Sequence, residues 1–189
     1  VRQRIMQAAT EEMRARGIKF TMADLAHRLG VSKRLLYEYF ASKEELIGAI
    51  VDFTLQEIRE QRTAIFRDPN LTFSEKLKQL LTPKKHLLPD DGRIAEEIKR
   101  CLPMEYEKFD RFNDQEWERM DIFLREGIQK GHLRPVCLPV VKKILDGTRK
   151  EIVNYQFLVH NSISLGEAFT YMVDVLLNGM LAQKNDITE

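Results

Sequence analysis

The chain has 189 residues, 43% of them hydrophobic and 31% charged, which excludes a disordered polypeptide and leaves room for one large domain or a small module joined to a larger one. No apolar run approaches the ~18 residues of a membrane span and no secretory leader pattern opens the chain, so a cytoplasmic protein without a membrane partner is expected. The net charge of +1 conceals an asymmetry: residues 1–48 carry nine Lys/Arg against six Asp/Glu, a net of +3, and residues 49–189 carry 21 against 23, a net of −2. A basic head on an acidic body suits a nucleic-acid module carried by a second domain.

Period-two alternation is nowhere sustained, whereas apolar residues recur at three- and four-residue steps almost throughout, which predicts an all-α fold. About nine helices are expected, over 1–16, 22–29, 33–39, 43–66, 73–87, 92–101, 104–130, 139–160 and 165–182, separated by breaks such as Gly17, Gly30, Asp68-Pro69 and Gly131 to Pro139. Three starts carry a capping hydroxyl three residues before a carboxylate: Thr21 to Asp24, Ser42 to Glu45 and Thr72 to Glu75. The hydroxyl accepts from an orphan helical N–H, and the carboxylate favours the positive end of the helix dipole.

The segment Leu29 to Phe40, LGVSKRLLYEYF, needs more than a helix to explain it. Gly30 can take the positive φ that ends the preceding helix tightly, Val31 plugs the corner and Ser32 caps the next helix. Leu36 and Phe40, four apart, face inward and leave Ser32, Lys33, Arg34, Tyr37 and Glu38 outside. This is a helix-turn-helix pattern whose second helix offers its first turns to a major groove. Ser42-Lys43 starts a further helix positioned to hold a phosphate. The DNA-facing residues are therefore expected to be Thr21, Ser32, Lys33, Arg34, Tyr37, Tyr39 and Lys43, with Thr21 first of all a helix cap.

The run from Phe20-Thr21 through Leu25-Ala26, then Gly30-Val31-Ser32-Lys33, Leu36-Tyr37, Phe40 and Ser42-Lys43-Glu44-Glu45-Leu46 resembles the DNA-binding region of TetR-type transcriptional regulators. Arg125-Glu126-Gly127, Gly131-His132-Leu133-Arg134-Pro135 and Leu176-Leu177-Asn178-Gly179-Met180-Leu181 are similar to recurring positions further along that family. The resemblance implies a three-helix DNA-binding head over 1–48, with a long fourth helix as connector. It further implies a helical body over 49–189 that binds a small effector and dimerises. Arg34-Leu35 departs from the small or short polar pair that members often carry, and Glu38 puts an anion on a surface meant for phosphates, so no operator sequence carries over.

In the body, Cys101, Met104, Tyr106, Phe109, Phe112, Trp117, Met120 and Phe123 concentrate soft and aromatic side chains and are the candidate lining of an effector cavity, which favours an apolar or aromatic effector. A plain core uses the same residues. Val141, Ile144, Leu145, Thr148, Ile152 and Tyr155 form one stripe, and Leu165, Phe169, Met172, Leu176 and Met180 another; such stripes suit a four-helix interface between two copies. Cys101 and Cys137 stand alone, and His27, His86, His132 and His160 lack ligand spacing, so no metal and no cofactor is expected. The expected function is ligand-responsive regulation of transcription by a dimer, with double-stranded DNA and an unidentified small molecule as partners. The competing reading is a helical enzyme or small-molecule binding protein whose helix-turn-helix is structural only, but no spacing offers it a catalytic residue.

Overall fold

The computed structural model describes residues 1–82, 88 and 92–180. Among these the regular structure is helical: α1 (Arg2–Arg16) with a 3₁₀ turn at Gly17–Lys19, α2 (Met22–Leu29), α3 (Lys33–Tyr39), α4 (Lys43–Arg67), α5 (Phe73–Leu81), α6 (Gly92–Cys101), α7 (Pro103–Gln129), α8 (Leu138–Ile152), α9 (Tyr155–His160) and α10 (Leu165–Met180). None of the described helices is long and apolar enough to cross a membrane.

The three capping pairs form as expected. Thr21, Ser42 and Thr72 accept from the amides of Asp24, Glu45 and Glu75 at 3.1, 3.0 and 3.3 Å. A fourth of the same kind, Ser164 with Glu167, opens α10: Ser164 Oγ accepts from the Glu167 amide at 3.1 Å and the carboxylate accepts from the Ser164 amide at 2.8 Å. Pro103 stands at the first position of α7, where its missing N–H costs nothing.

The helix expected over 139–160 is two helices. Asn154 turns its side chain to accept from the Phe157 amide at 3.0 Å and starts α9 after a break at Val153. Apolar periodicity runs through the break, because the residues on both sides still bury one face, and only the asparagine marks it. For the helix expected over 73–87, the described part ends at Leu81, where Thr82 Oγ1 donates to the Lys78 carbonyl at 2.8 Å; residues 83–87, with His86, lie outside the described residues, as do 181 and 182 of the last helix.

The chain folds as two compact units, residues 1–59 with 85–110 and residues 60–84 with 111–189. In the first, Ile5, Met13, Phe20, Leu25, Leu36, Phe40, Leu46, Ile47 and Ile50 bury against one another together with Ile94 and Ile98 of α6. The second holds Ile65, Leu77, Leu80, Met120, Leu124, Leu138, Val173 and Leu177, and a smaller cluster of Ile152, Leu158, Leu165 and Ala168.

Gly127 of α7 shows how tightly the second core is fitted. Phe73 lies against it, stacked on Phe123 at 4.5 Å and on His132 at 5.1 Å between ring centroids. A Cβ on residue 127 would meet Phe73 Cζ at 2.2 Å. Alanine gains roughly 0.5 to 1 kcal/mol of helix propensity over glycine, but displacing the stacked ring costs on the order of 1 to 3 kcal/mol. Gly127→Ala is therefore expected to lower the midpoint of denaturant unfolding, and a raised midpoint would show that Phe73 has somewhere else to go.

Candidate nucleic-acid interface

Three local devices shape the helix-turn-helix. The Thr21 hydroxyl accepts from the Asp24 amide and donates to Asp24 Oδ2 at 2.8 Å, while the Thr21 amide donates to the same oxygen at 2.8 Å. The hydrogen bond donated by the Thr21 amide, then that of its hydroxyl, then the charge of Arg16 hold the Asp24 carboxyl below the usual carboxylate range. At the other end of α2, Gly30 sits in the left-handed region with φ 66° and ψ 32°. Its amide donates to the His27 carbonyl at 3.2 Å and the Val31 amide donates to Ala26 at 3.0 Å, which closes α2 and turns the chain. Ser32 Oγ then accepts from the Leu35 amide at 3.2 Å and opens α3.

Leu36 and Phe40 are fully buried, and their burial fixes which face of α3 points outward. Ser32, Lys33, Arg34, Tyr37, Glu38 and Tyr39 are exposed on that face, Tyr37 to 50% and Tyr39 to 37%. Arg34 is 91% exposed, with its Nε 3.4 Å from Glu38 Oε1. That ion pair engages one edge of the guanidinium and leaves its terminal nitrogens directed to solvent. Lys43 is different. Its ammonium donates to the Ile18 carbonyl at 3.0 Å and lies 5.8 Å above the Phe20 ring, so it ties the start of α4 to the 3₁₀ turn.

Two other cations of the head, Arg16 and Arg28, pair with carboxylates within it. The buried Glu12 carboxylate pairs with Arg28, which also reaches Glu11 at 2.8 Å, and with Arg16 at 3.6 Å. The hydrogen bond that Arg28 donates to Glu12, and the charges of both glutamates, hold its guanidinium above the ordinary value. Lys33 and Arg34 stay exposed on α3, and Arg4, Arg14 and Lys19 are exposed elsewhere on the head.

The head also carries a contact that no spacing announces. Gly17 has φ +68°, a Cβ there would meet Glu97 Oε2 at 2.3 Å, and that oxygen accepts from the Ile18 amide at 2.7 Å. Arg93 donates to the Arg14 carbonyl at 3.0 Å. Side chains of α6 therefore satisfy orphan backbone groups at the end of α1, 79 residues away in sequence.

The residues expected to line an effector cavity fall into both units. Cys101 and Met104 are exposed, Met104 to 76%, and Tyr106 packs against the first core with its ring 6.3 Å from Phe109. Phe112 and Met120 are buried, Trp117 packs against the second core, and Phe123 stacks there with Phe73 and meets Phe66 edge-on at 5.5 Å. Of the residues in the two C-terminal stripes, Val141, Ile152, Leu165 and Met180 are buried in the chain's own cores. Leu145, Thr148, Phe169, Met172 and Leu176 are half-buried, while Ile144 and Tyr155 are exposed. On α8 and α10 the strongest outward apolar positions are Val140, Tyr171 and Val175, the last at 73%; they follow an i,i+4 pattern, Val140 with Ile144 and Tyr171 with Val175, that runs beside the buried stripe. Among the described residues no group of three or more His, Cys, Asp or Glu gathers as a metal set.

Residues 5–50 match the family model described as bacterial regulatory proteins, tetR family. Over 183 residues the chain is 29% identical to an uncharacterized HTH-type transcriptional regulator, YvaF, of Bacillus subtilis, covering 96% of each chain. A transcriptional regulator of the TetR/AcrR family from Thermobifida fusca superposes with a TM-score of 0.62 at 25% identity, covering 94% of this chain and 97% of that one. The ketosteroid transcriptional regulator KstR2 of Mycobacterium tuberculosis shares the fold, with a TM-score of 0.65 at 19% identity and 96% and 95% coverage. The segment that holds the capped helix-turn-helix and its outward-facing recognition helix thus matches the tetR family model, and the chain as a whole is similar to helix-turn-helix transcriptional regulators.

Proposed function

We propose that the chain is a repressor that binds a palindromic operator as a homodimer and is released by a small apolar or aromatic effector. Residues 1–48 supply DNA contact and residues 49–189 effector binding and dimerisation. The observation that carries this reading is the outer face of α3: Ser32, Lys33, Arg34, Tyr37 and Tyr39 exposed together on a helix whose inner face is fixed by Leu36 and Phe40. The exposed Val140, Ile144, Tyr171 and Val175 support the dimer. Release needs an effector that binds one of two head geometries better than the other. The bonds from Glu97 and Arg93 to the end of α1 give α6 a hold on the head through which such a difference acts.

Sequencing the duplexes that the purified chain selects from random DNA tests the proposal. A shared inverted repeat, bound more weakly as salt rises, is the expected result. Recovery of unrelated sequences with equal affinity would end the operator reading.

Lys43 is assigned two tasks, because an ammonium has three donors and the Ile18 carbonyl takes one. Lys43→Ala is expected to weaken binding to all duplexes alike, to lower the salt slope by about one per contacted phosphate, and to reduce stability by about 0.5 to 1.5 kcal/mol. If the melting temperature falls while the salt slope stays, Lys43 is a strut within the head and touches no phosphate.

A further inference from the structure

Within the second unit, the parts of α4 and α7 that belong to it bring charge to a place where apolar residues are expected. Arg62 and Phe66 lie four apart on α4, and Phe112, Glu116 and Arg119 follow at four- and three-residue steps on α7. These spacings align each set along one helix face. Glu116 is the deepest of the charges, its side chain only 4% exposed. Above it stand Arg62 at 3.8 Å, with 23% of its side chain exposed, and Arg119 at 3.5 Å, with 39% exposed.

Both guanidiniums lie over aromatic rings, Arg62 at 5.8 Å from Phe112 and Arg119 at 4.9 Å from Phe66. Arg119 also donates to Thr63 Oγ1 at 3.2 Å. Two cations thus share one carboxylate at separations longer than a hydrogen bond. Burial pushes the Arg62 guanidinium below its ordinary value, Glu116 opposes that, and the cations of Arg119 and Arg149 push further the same way. Arginine keeps its charge even so. A half-buried site with more positive than negative charge, set between phenylalanine rings and open to water on one side, is complementary to an oxyanion on an apolar body.

We infer that Arg62 and Arg119 form the recognition site for the anionic group, carboxylate or phosphate, of an amphipathic effector, with Phe66 and Phe112 beside its apolar part and Glu116 as the internal anion with which the effector competes. This rests on the reading of the body as effector-binding and narrows the effector from apolar to apolar and acidic. An ion-pair network that merely joins α4 to α7 is the alternative, and the two make opposite predictions at Glu116.

Binding of octanoate, octyl phosphate and octanol to the full-length chain, followed by calorimetry and by the fluorescence of Trp117, decides between them. Octanoate or octyl phosphate is expected to bind at least about tenfold more tightly than octanol, the loss of a charge-assisted pair being of that order; the preferred acid identifies the anion. Arg62→Met should remove the preference, Arg62→Lys should restore part of it, and Glu116→Gln should strengthen acid binding, because the competing carboxylate is gone. Equal binding of acids and alcohol, no saturable acid binding at millimolar concentration, or a Glu116→Gln variant that melts lower and binds acid more weakly would each overturn the inference. Selective operator binding by the unliganded chain would survive any of these outcomes, so failure here is distinguishable from failure of the regulator reading.

Discussion

Replacing Tyr171 and Val175 together by glutamate is expected to leave the chain folded but monomeric and to lower its affinity for a two-half-site operator by about 10²- to 10⁴-fold, the avidity lost when the second head is no longer tethered. These side chains are 61% and 73% exposed, so neither substitution removes a core contact. In a two-fold interface each change occurs twice, and four carboxylates would face one another across the axis. Affinity for a single half-site should be unchanged, which separates loss of the dimer from damage to the head. The neighbouring Val173 and Leu177 are 1% and 7% exposed; glutamate there should unfold the chain instead. Light scattering and operator titration make the comparison, and a Tyr171→Glu/Val175→Glu chain that keeps a dimer's mass would remove this face from the interface.

Arg34→Ala is expected to cost on the order of 1 to 3 kcal/mol on the preferred operator and to relax the preference at one base pair in each half-site. Near the start of α3, a guanidinium reaches base edges, and its planar fork pairs with guanine O6 and N7 in a way lysine does not reproduce. The Glu38 carboxylate at 3.4 Å from Nε competes for it. At these exposures the pair is worth only about 0.3 to 0.5 kcal/mol, less than a bidentate contact to guanine, so the base wins when it is present. Glu38→Gln should accordingly preserve the sequence preference and tighten binding to all duplexes by removing an anion from the face. Titration of both variants against an operator and its single-base changes tests this. Should Arg34→Ala weaken every sequence equally, Arg34 contacts phosphate or only its own glutamate.

The head was legible because its determinants are local. Gly30 ends a helix by its backbone freedom, Ser32 and Thr21 cap by their hydroxyls, and Leu36 with Phe40 fixes the inner face of a short helix. Each depends on residues within about one turn, so spacing suffices to find them. The body was harder, since helices that are apolar on more than one face satisfy several periodic readings at once. The stripe through Val141, Ile152, Leu165 and Met180 turned inward, while Val140, Tyr171 and Val175 remained outside.

By itself the sequence determined the all-helical fold, the cap at each of the three marked helix starts, and the outward face of α3, because hydrogen bonds and burial within one helix decide them. Only the tertiary structure decided which side chains meet across long separations. It gave Lys43 an internal carbonyl, joined Glu97 and Arg93 to the end of α1, and lodged Glu116 beneath Arg62 and Arg119. Charged residues follow no hydrophobic period, and their partners are chosen by which helices pack together, which the pattern along one helix does not encode.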